Sequence, residues 1–419
     1  MSAAPERIPI CLVGCGRMGT RHLSGYAALR RSGQDPFELV GVCDPDGEAA
    51  SRAAEIAHGS LGRRPKLYAD FAEVLADQAV TALDIVTDPG SHHELVVPAL
   101  SAGKHVVCEK PLGVTVRACR AMVTAAERSK ATLATAENYR HDPVNRLAAA
   151  TIASGILGEV RLLVESHLGG TREVILTPWR HQRERGSIAL DMGVHFVDLF
   201  RYYLGDLDSV FGRSFVAEPL RYAPSTQDAS AGAAGDLAPI RATGDDSLLG
   251  VFRTSSGCLA QLAYLPSGPG GPGPARVIYG SEATMTVPPD RSGGVIEVRS
   301  GSGVVSGPQL RSAVGGFELD GLAATLFGPQ SSDYELDFAT ADSYLIALEL
   351  ADFAEAILTG RPPEVDAYGG LLDVAGVLAL AESGLRGTSV GISEVAGGVL
   401  SAAQDDIDLA IGLVPGSAG

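Results

Sequence analysis

The sequence predicts an α/β fold in two parts. The first is a doubly wound parallel sheet; the second is a C-terminal α+β domain with a large, mainly antiparallel open sheet. Three observations predict this. The first third alternates short apolar runs with helical stretches, the pattern of strands joined by crossover helices. Its opening unit carries glycines as Gly14-x-Gly16-x-x-Gly19 between an apolar run and a helical pattern. Beyond residue 210 the readable pieces are strands following one another, which implies antiparallel or mixed pairing. At 419 residues the chain is too long for one typical core, so the division is placed at 1–138 and 139–419.

Ile10 to Val13 reads as a buried strand that breaks at Gly14, with a helix from Arg17 to about Leu29. Phe37 to Asp44 is the next strand, Gly47 to Ala57 a helix, Lys66 to Tyr68 a brief strand and Phe71 to Ala76 a short helix. Ala82 to Thr87 is the fourth strand. A helix from Ser91 to Ala102 follows and stops at Gly103, a residue suited to a helix C-terminus. His105 to Glu109 is a strand, Thr115 to Lys130 a helix and Leu133 to Glu137 the sixth strand. Ligands of such sheets bind beyond the carboxyl ends of the strands, so the loops after Val13, Asp44, Thr87 and Glu109 are expected to share one crevice.

The pattern then changes. Pro143 to Ser154 predicts a helix, Glu159 to His167 an alternating strand and Asp191 to Leu204 a helix with an apolar face. Val210 to Ala217, Ser247 to Thr254, Cys258 to Tyr264 and Ala275 to Tyr279 read as strands. Ser225 to Asp245 and Pro266 to Pro274 predict exposed loops. Ser343 to Leu358 and Leu371 to Leu385 are apolar helices, and the amphipathic stretch Ser393 to Leu413 predicts a last helix.

The glycine spacing has a mechanism. Gly14 permits the tight turn, Gly16 lets the backbone approach a pyrophosphate, and Gly19 lets helix and strand pack closely. This is the Rossmann fingerprint, with Arg17 and Met18 inside the turn and free amides at the helix start facing the phosphates. Asp44 ends the second strand, 25 residues past Gly19, where its carboxylate would accept from a ribose diol and repel a 2′-phosphate. The cofactor expected is therefore NAD rather than NADP.

A net charge of −17 argues against nucleic acid and anionic membrane surfaces as partners. No apolar run approaches the ~18 residues a bilayer span needs. The segment Met1 to Arg7 shows no secretion signal, and six scattered cysteines without a C-x-x-C pair read as small buried residues in a reducing cytoplasm.

Three ordered stretches resemble the glucose–fructose oxidoreductase/inositol dehydrogenase family (Gfo/Idh/MocA). They are the glycine turn, Ala102-Gly-Lys-His-Val-Val-Cys-Glu-Lys-Pro111 and Asp191-Met-Gly-Val-His195. The resemblance covers at least residues 8–205. It implies that Lys110 is catalytic, that Asp191 and His195 contact the substrate, and that His195 completes a proton relay with Lys110. Read from the residues, Lys110 follows a buried strand and is fixed by Pro111. Apolar walls and a cationic nicotinamide ring would tune its ammonium for proton exchange. Asp191 and His195 are four apart on one helix face, where Asp191 could hold a substrate hydroxyl or orient the imidazole. Asp-x-x-x-His is not a zinc signature, and no metal is expected.

Other positions follow. Glu109 is expected to pair with Lys110 or line the cofactor pocket. By the family's pattern, Thr87, Pro89 and His92 would flank the nicotinamide side, although two adjacent histidines loosen the choice between His92 and His93. Tyr139 and Arg140, in Glu137-Asn-Tyr-Arg140, could reach the substrate. Trp179 offers a face to a sugar ring and Arg180 a charge to a polar group. Gly186-Ser-Ile188 stands where the family often has a glycine triplet.

The expected function is NAD-dependent hydride transfer to or from a secondary alcohol of a sugar, nucleotide sugar or cyclitol. The alternatives are a tightly bound, recycled cofactor in an oxidation–elimination–reduction reaction, and a non-catalytic nucleotide sensor. The resemblance also implies a homodimer or homotetramer.

Overall fold

The computed structural model describes residues 7–170, 176–222, 238–319, 321–330 and 333–413. Short apolar runs supply the first sheet. Its strands are β1 (Ile8–Val13), β2 (Phe37–Cys43), β3 (Lys66–Tyr68), β4 (Ala82–Ile85), β5 (His105–Glu109) and β6 (Leu133–Ala136). They lie in the order β3-β2-β1-β4-β5-β6, all parallel. Order reverses between β1 and β4, so a crevice opens above Val13, as such sheets require. The connecting helices are α1 (Arg17–Ser32), α2 (Gly47–Leu61), α3 (Phe71–Ala76), α4 (His92–Ser101) and α5 (Val116–Ser129). Asp46 caps α2 and Thr115 caps α5 by accepting from free amides of the first turn.

Period-2 alternation decides which layer each strand residue joins. Ile8, Ile10 and Leu12 enter one apolar cluster with α1 and α2, while Cys11 and Val13 face the other. The first cluster is completed from far along the chain. Helix α10 (Phe338–Thr359) lays Ile346, Leu350 and Phe353 against it, so this sheet is covered by a segment outside the first third.

Among the described residues the second sheet has nine strands. Helix α6 (Pro143–Ala153) leads to β7 (Val160–Leu168), then α7 (Ile188–Leu204), β8 (Leu207–Phe215), β9 (Leu220–Arg221), β10 (Ile240–Arg241), β11 (Ser247–Thr254) and β12 (Leu259–Leu265). Next come β13 (Gly273–Gly280), β14 (Ala283–Val287), β15 (Glu297–Ser300), β16 (Gly303–Ser306), α8 (Gly307–Ala313) and α9 (Gly321–Phe327). After α10 the chain adds α11 (Ala367–Arg386), β17 (Val390–Gly391), α12 (Ile392–Ala396) and α13 (Asp405–Ala410). Sheet order is β16-β15-β14-β13-β7-β12-β11-β8-β17. Only β7 and β12 pair in parallel; the other ladders are antiparallel, so the sheet is mixed but mostly antiparallel.

Several expectations need correction. The stretch 393–413 is not one helix, because Gly397 and Gly398 interrupt it, the latter at φ 75°, and leave two short ones. Within the loop expected over 225–245, residues up to 237 lie outside the described ones, but Ile240 and Arg241 pair with β9. The segments 1–6 and 414–419 also lie outside. Helix α7 starts three residues before Asp191, where Ser187 accepts from the Leu190 amide. Among the described residues one helix, α11, is long and apolar enough to cross a membrane by length and composition, and 72% of that window is buried within the protein.

Candidate functional site

The glycine turn has the shape its sequence requires. Gly14 sits at φ 101°, and a Cβ there would lie 3.0 Å from the Val86 backbone. A Cβ on Gly19 would lie 2.2 Å from the Gly14 carbonyl, so only glycine lets α1 start this close to the turn. Gly16, the residue before α1, faces open space. That space lies at a helix N-terminus, where amides and dipole favour a phosphate. Arg17 is exposed and Met18 half-buried beside it. Asp44 is half-buried, and two backbone amides fix its carboxylate: Cys15 N donates to Oδ2 at 2.7 Å and Asp46 N to Oδ1 at 2.8 Å. The residues present therefore fit a dinucleotide.

Lys110 leaves the carboxyl end of β5 and reaches across to α7. Its Nζ donates to Asp191 Oδ1 at 2.7 Å and to the Asp191 carbonyl at 3.1 Å. Asp191 Oδ2 accepts from Arg180 Nε at 2.7 Å. Burial would raise the Asp191 carboxyl, but Lys110 and Arg180 overcome it and hold it well below the usual carboxylate range. Arg180 also donates to Thr177 Oγ1 at 2.6 Å, and its guanidinium lies over the Trp179 ring, 4.3 Å from the centroid. Trp179 is half-buried, so the pair rims the cleft.

One helical turn after Asp191, His195 is 4% exposed. Its Nδ1 lies 2.8 and 2.7 Å from the two Glu137 oxygens, and its ring stacks on Tyr139 at 3.8 Å and 3°. Burial pushes Glu137 up to about 7 and, with Lys110 and Arg291 nearby, pushes His195 well below the ordinary imidazole value. Both shifts favour neutral groups, so the pair holds a shared proton in a sealed place. Arg291 covers the other side of this stack, 4.8 Å from the Tyr139 centroid. It donates to Asn138 Oδ1 at 2.9 Å from a backbone with φ 61°.

The structure rearranges five expected roles. Asp191 does not orient the imidazole; Glu137 does. Lys110 meets a carboxylate rather than purely apolar walls. Glu109 pairs with neither Lys110 nor the cleft, since it is buried with Oε1 3.1 Å from His22 Nε2. Arg140 is committed to Asp198 through three contacts of 2.6 to 2.9 Å, and a substrate contact would have to break them. His92 is also sealed, at 0% exposure. Its Nδ1 is 3.0 Å from the Pro111 carbonyl and its Nε2 3.3 Å from that of Thr87. It therefore ties two cleft loops together instead of touching a bound nucleotide. Thr87 accepts from Ser91 Oγ at 2.9 Å, and buried Pro89 packs under Gly186.

Glu137 and Arg291 gave little warning in the sequence. Glu137 lies 58 positions from His195, and no spacing rule links a strand end to a distant helix. Arg291 sits in a loop after β14 with no motif around it. Tyr264, on β12, is another. Its buried phenol is raised first by burial and then by Asp191 and Tyr139, which places it within electrostatic reach of both.

Comparison with known proteins agrees with this geometry. A family model described as "Oxidoreductase family, NAD-binding Rossmann fold" matches residues 8–137. A second, "GFO/IDH/MocA C-terminal domain", matches residues 145–286. The chain is similar to the D-apiose dehydrogenase of Paraburkholderia graminis, 32% identical over 48% of this chain and 51% of that one. It therefore spans about half the length of that curated relative, and also of the levoglucosan dehydrogenase of Pseudarthrobacter phenanthrenivorans, at 53%. The myo-inositol 2-dehydrogenase of Thermotoga maritima is 26% identical over 93% of this chain and 99% of its own. An NAD binding oxidoreductase from Klebsiella pneumoniae shares the fold with a TM-score of 0.76, 22% identity and coverage of 92% and 99%. Two models of one family, in order and together covering more than half of the chain, place it in the GFO/IDH/MocA oxidoreductase family.

Proposed function

We propose that the chain is an NAD-dependent oxidoreductase acting on a secondary alcohol or ketone of a sugar, nucleotide sugar or cyclitol. The observation that carries this reading is Lys110 Nζ held 2.7 Å from Asp191 Oδ1, with His195 one helical turn further along the same helix and paired with Glu137 from the end of β6. Gly14, Gly16, Gly19 and Asp44 would hold the dinucleotide, which supplies or accepts the hydride when bound. Asp44 accepts from the ribose diol and repels a 2′-phosphate, hence NAD over NADP. In ketone reduction Lys110 gives a proton to the oxygen as the carbon gains a hydride; alcohol oxidation returns both. Asp191 and Arg180 fix the position of Lys110, and His195 passes protons between the substrate side and Glu137. Trp179 presents a face to a ring and Arg180 a charge to its hydroxyls. Tyr139, expected from the sequence to reach the substrate, instead has one face on His195 and the other under Arg291, and so backs the imidazole.

A homo-oligomer belongs to the same proposal. One face of the nine-stranded sheet leaves Phe211 58%, Leu249 54% and Val251 40% exposed, apolar area that a second copy would cover.

The test is nicotinamide fluorescence during titration with NADH and NADPH, followed by a panel of sugars, cyclitols and their keto forms. Tight NADH binding, then signal loss with one keto compound, is the expected outcome. Binding of neither nucleotide would refute the reading.

A further inference from the structure

Beneath the catalytic strand lies a second acid–base cluster that the proposed reaction does not use. The alternation that gives the α1 side of the first sheet Ala82 and Val107 also gives it Asp84 and Glu109, two carboxylates in an otherwise apolar layer. From α1, His22 reaches between them at 0% exposure. Its Nδ1 lies 2.9 Å from Asp84 Oδ2 and its Nε2 3.1 Å from Glu109 Oε1. Tyr26, one turn along α1, donates to the same Asp84 oxygen at 2.9 Å. Helix α10 adds Glu349, 5% exposed, with Oε1 3.9 Å from His22 Nε2 and neither oxygen hydrogen-bonded.

We propose that His22 is a positioning residue: by bridging Asp84 and Glu109 it locks the helix that begins at the glycine turn to the strand end that carries Lys110. The inference rests on the oxidoreductase reading above. Glu109 directly precedes Lys110, so the side chain that His22 grips and the side chain that faces the substrate share one stretch of backbone. A shift of α1 against β5 would move Lys110 relative to Asp191 and to the dinucleotide site together. Without the bridge, two buried carboxylates would face each other and Glu349 with no cation between them.

The groups facing His22 are Asp84 from β4, Glu109 from β5 and Glu349 from α10, with Tyr26 of its own helix on the same Asp84 oxygen; Lys110 and Arg21 act on Glu109. Glu137 acts on Glu349 from the end of β6. Burial would lower the imidazole, but Asp84 and Glu109 overcome it and hold His22 well above its ordinary value. Burial pushes Glu349 well up, toward a neutral acid. The cluster therefore keeps one imidazolium between two carboxylates, beside a protonated Glu349.

The test uses the full chain. With [15N]histidine, long-range nitrogen–proton spectra are expected to show His22 doubly protonated near pH 8, well above an ordinary imidazole. The signal is assigned by its loss in His22→Gln or His22→Asn, and the doubly protonated signature should disappear in Glu109→Gln. In turnover on the best compound of the panel, His22→Gln and Glu109→Gln should each lower kcat about 10²-fold, the scale for a misplaced catalytic group. NADH affinity and KM should stay within about threefold. The double variant should be no worse than the lower single, since both break one link. A neutral, single-tautomer His22 near pH 7, an unchanged kcat in folded His22→Gln, or additive losses would overturn the proposal. If the unsubstituted chain binds NADH but turns over no compound, the functional reading fails, while the imidazolium signature still decides the bridge.

Discussion

Two buried charge networks in this molecule use the same residue types to different ends. Around Arg276, in the second sheet, every charge is answered. Arg276 Nε donates to Glu165 Oε2 at 2.6 Å, its Nη2 to Asp290 Oδ2 at 2.9 Å and its Nη1 to Asn145 Oδ1 at 3.0 Å. His167 and Tyr203 take further acceptors of Glu165 and Asn145 at 2.6 and 2.5 Å. None of the sealed atoms of Arg276, Glu165, Asp290 or Asn145 lacks a partner. Around His22, beneath the strand that carries Lys110, and around His195 the account stays open. Asp84 Oδ1 and both Glu349 oxygens are buried without partners, and Glu137 sits with His195 at a raised value of about 7. A closed network fixes a fold, whereas the spare proton of the Glu137–His195 pair is suited to proton handling, and the spare acceptors beside His22 to holding a buried charge in place.

The contrast can be broken or sharpened experimentally. Lys110→Ala should lower turnover ~10²–10⁴-fold with NADH affinity nearly unchanged, because only the proton transfer is lost. A folded variant with normal turnover would sink the assignment. Arg276→Ala should instead cost about 3–5 kcal/mol of stability by leaving Glu165 and Asp290 unpaired. Denaturant unfolding checks this, and a loss below about 1 kcal/mol would mean that the closed network is not structural. Asp44→Ala should weaken NAD about tenfold and relax rejection of NADP, the scale of a lost charged hydrogen bond. Competitive titration with the two nucleotides decides it, an unchanged preference counting against the role.

The smallest effect concerns pH. Glu137 is raised to about 7 from an ordinary carboxyl value of 4.5. Between those values the folded chain holds a proton that the unfolded chain has lost, so this group makes stability fall as pH rises through the window and level off above it. In Glu137→Gln that contribution is gone, and the thermal midpoint should drop less than the parent's between about pH 5 and 8. Equal drops in the two proteins would show that Glu137 is not so raised.

The sequence alone determined the parallel sheet, its strand order of appearance and the glycine turn. Each depends on local physics: apolar runs of strand length, helix caps, and backbone angles that only glycine adopts easily. The same holds for Lys110 and for the Asp191–His195 face of α7, whose residues are close in the chain. The tertiary structure decided the pairings. Glu137 rather than Asp191 holds the imidazole, Arg140 is committed to Asp198, and His92 ties loops instead of meeting a ligand. It also decided that α10, more than 300 positions after β1, closes the first sheet's core. Periodicity tells which side of a strand or helix is apolar, but not which distant surface will meet it. Buried polar groups must find partners, and those partners exist only once the chain has folded.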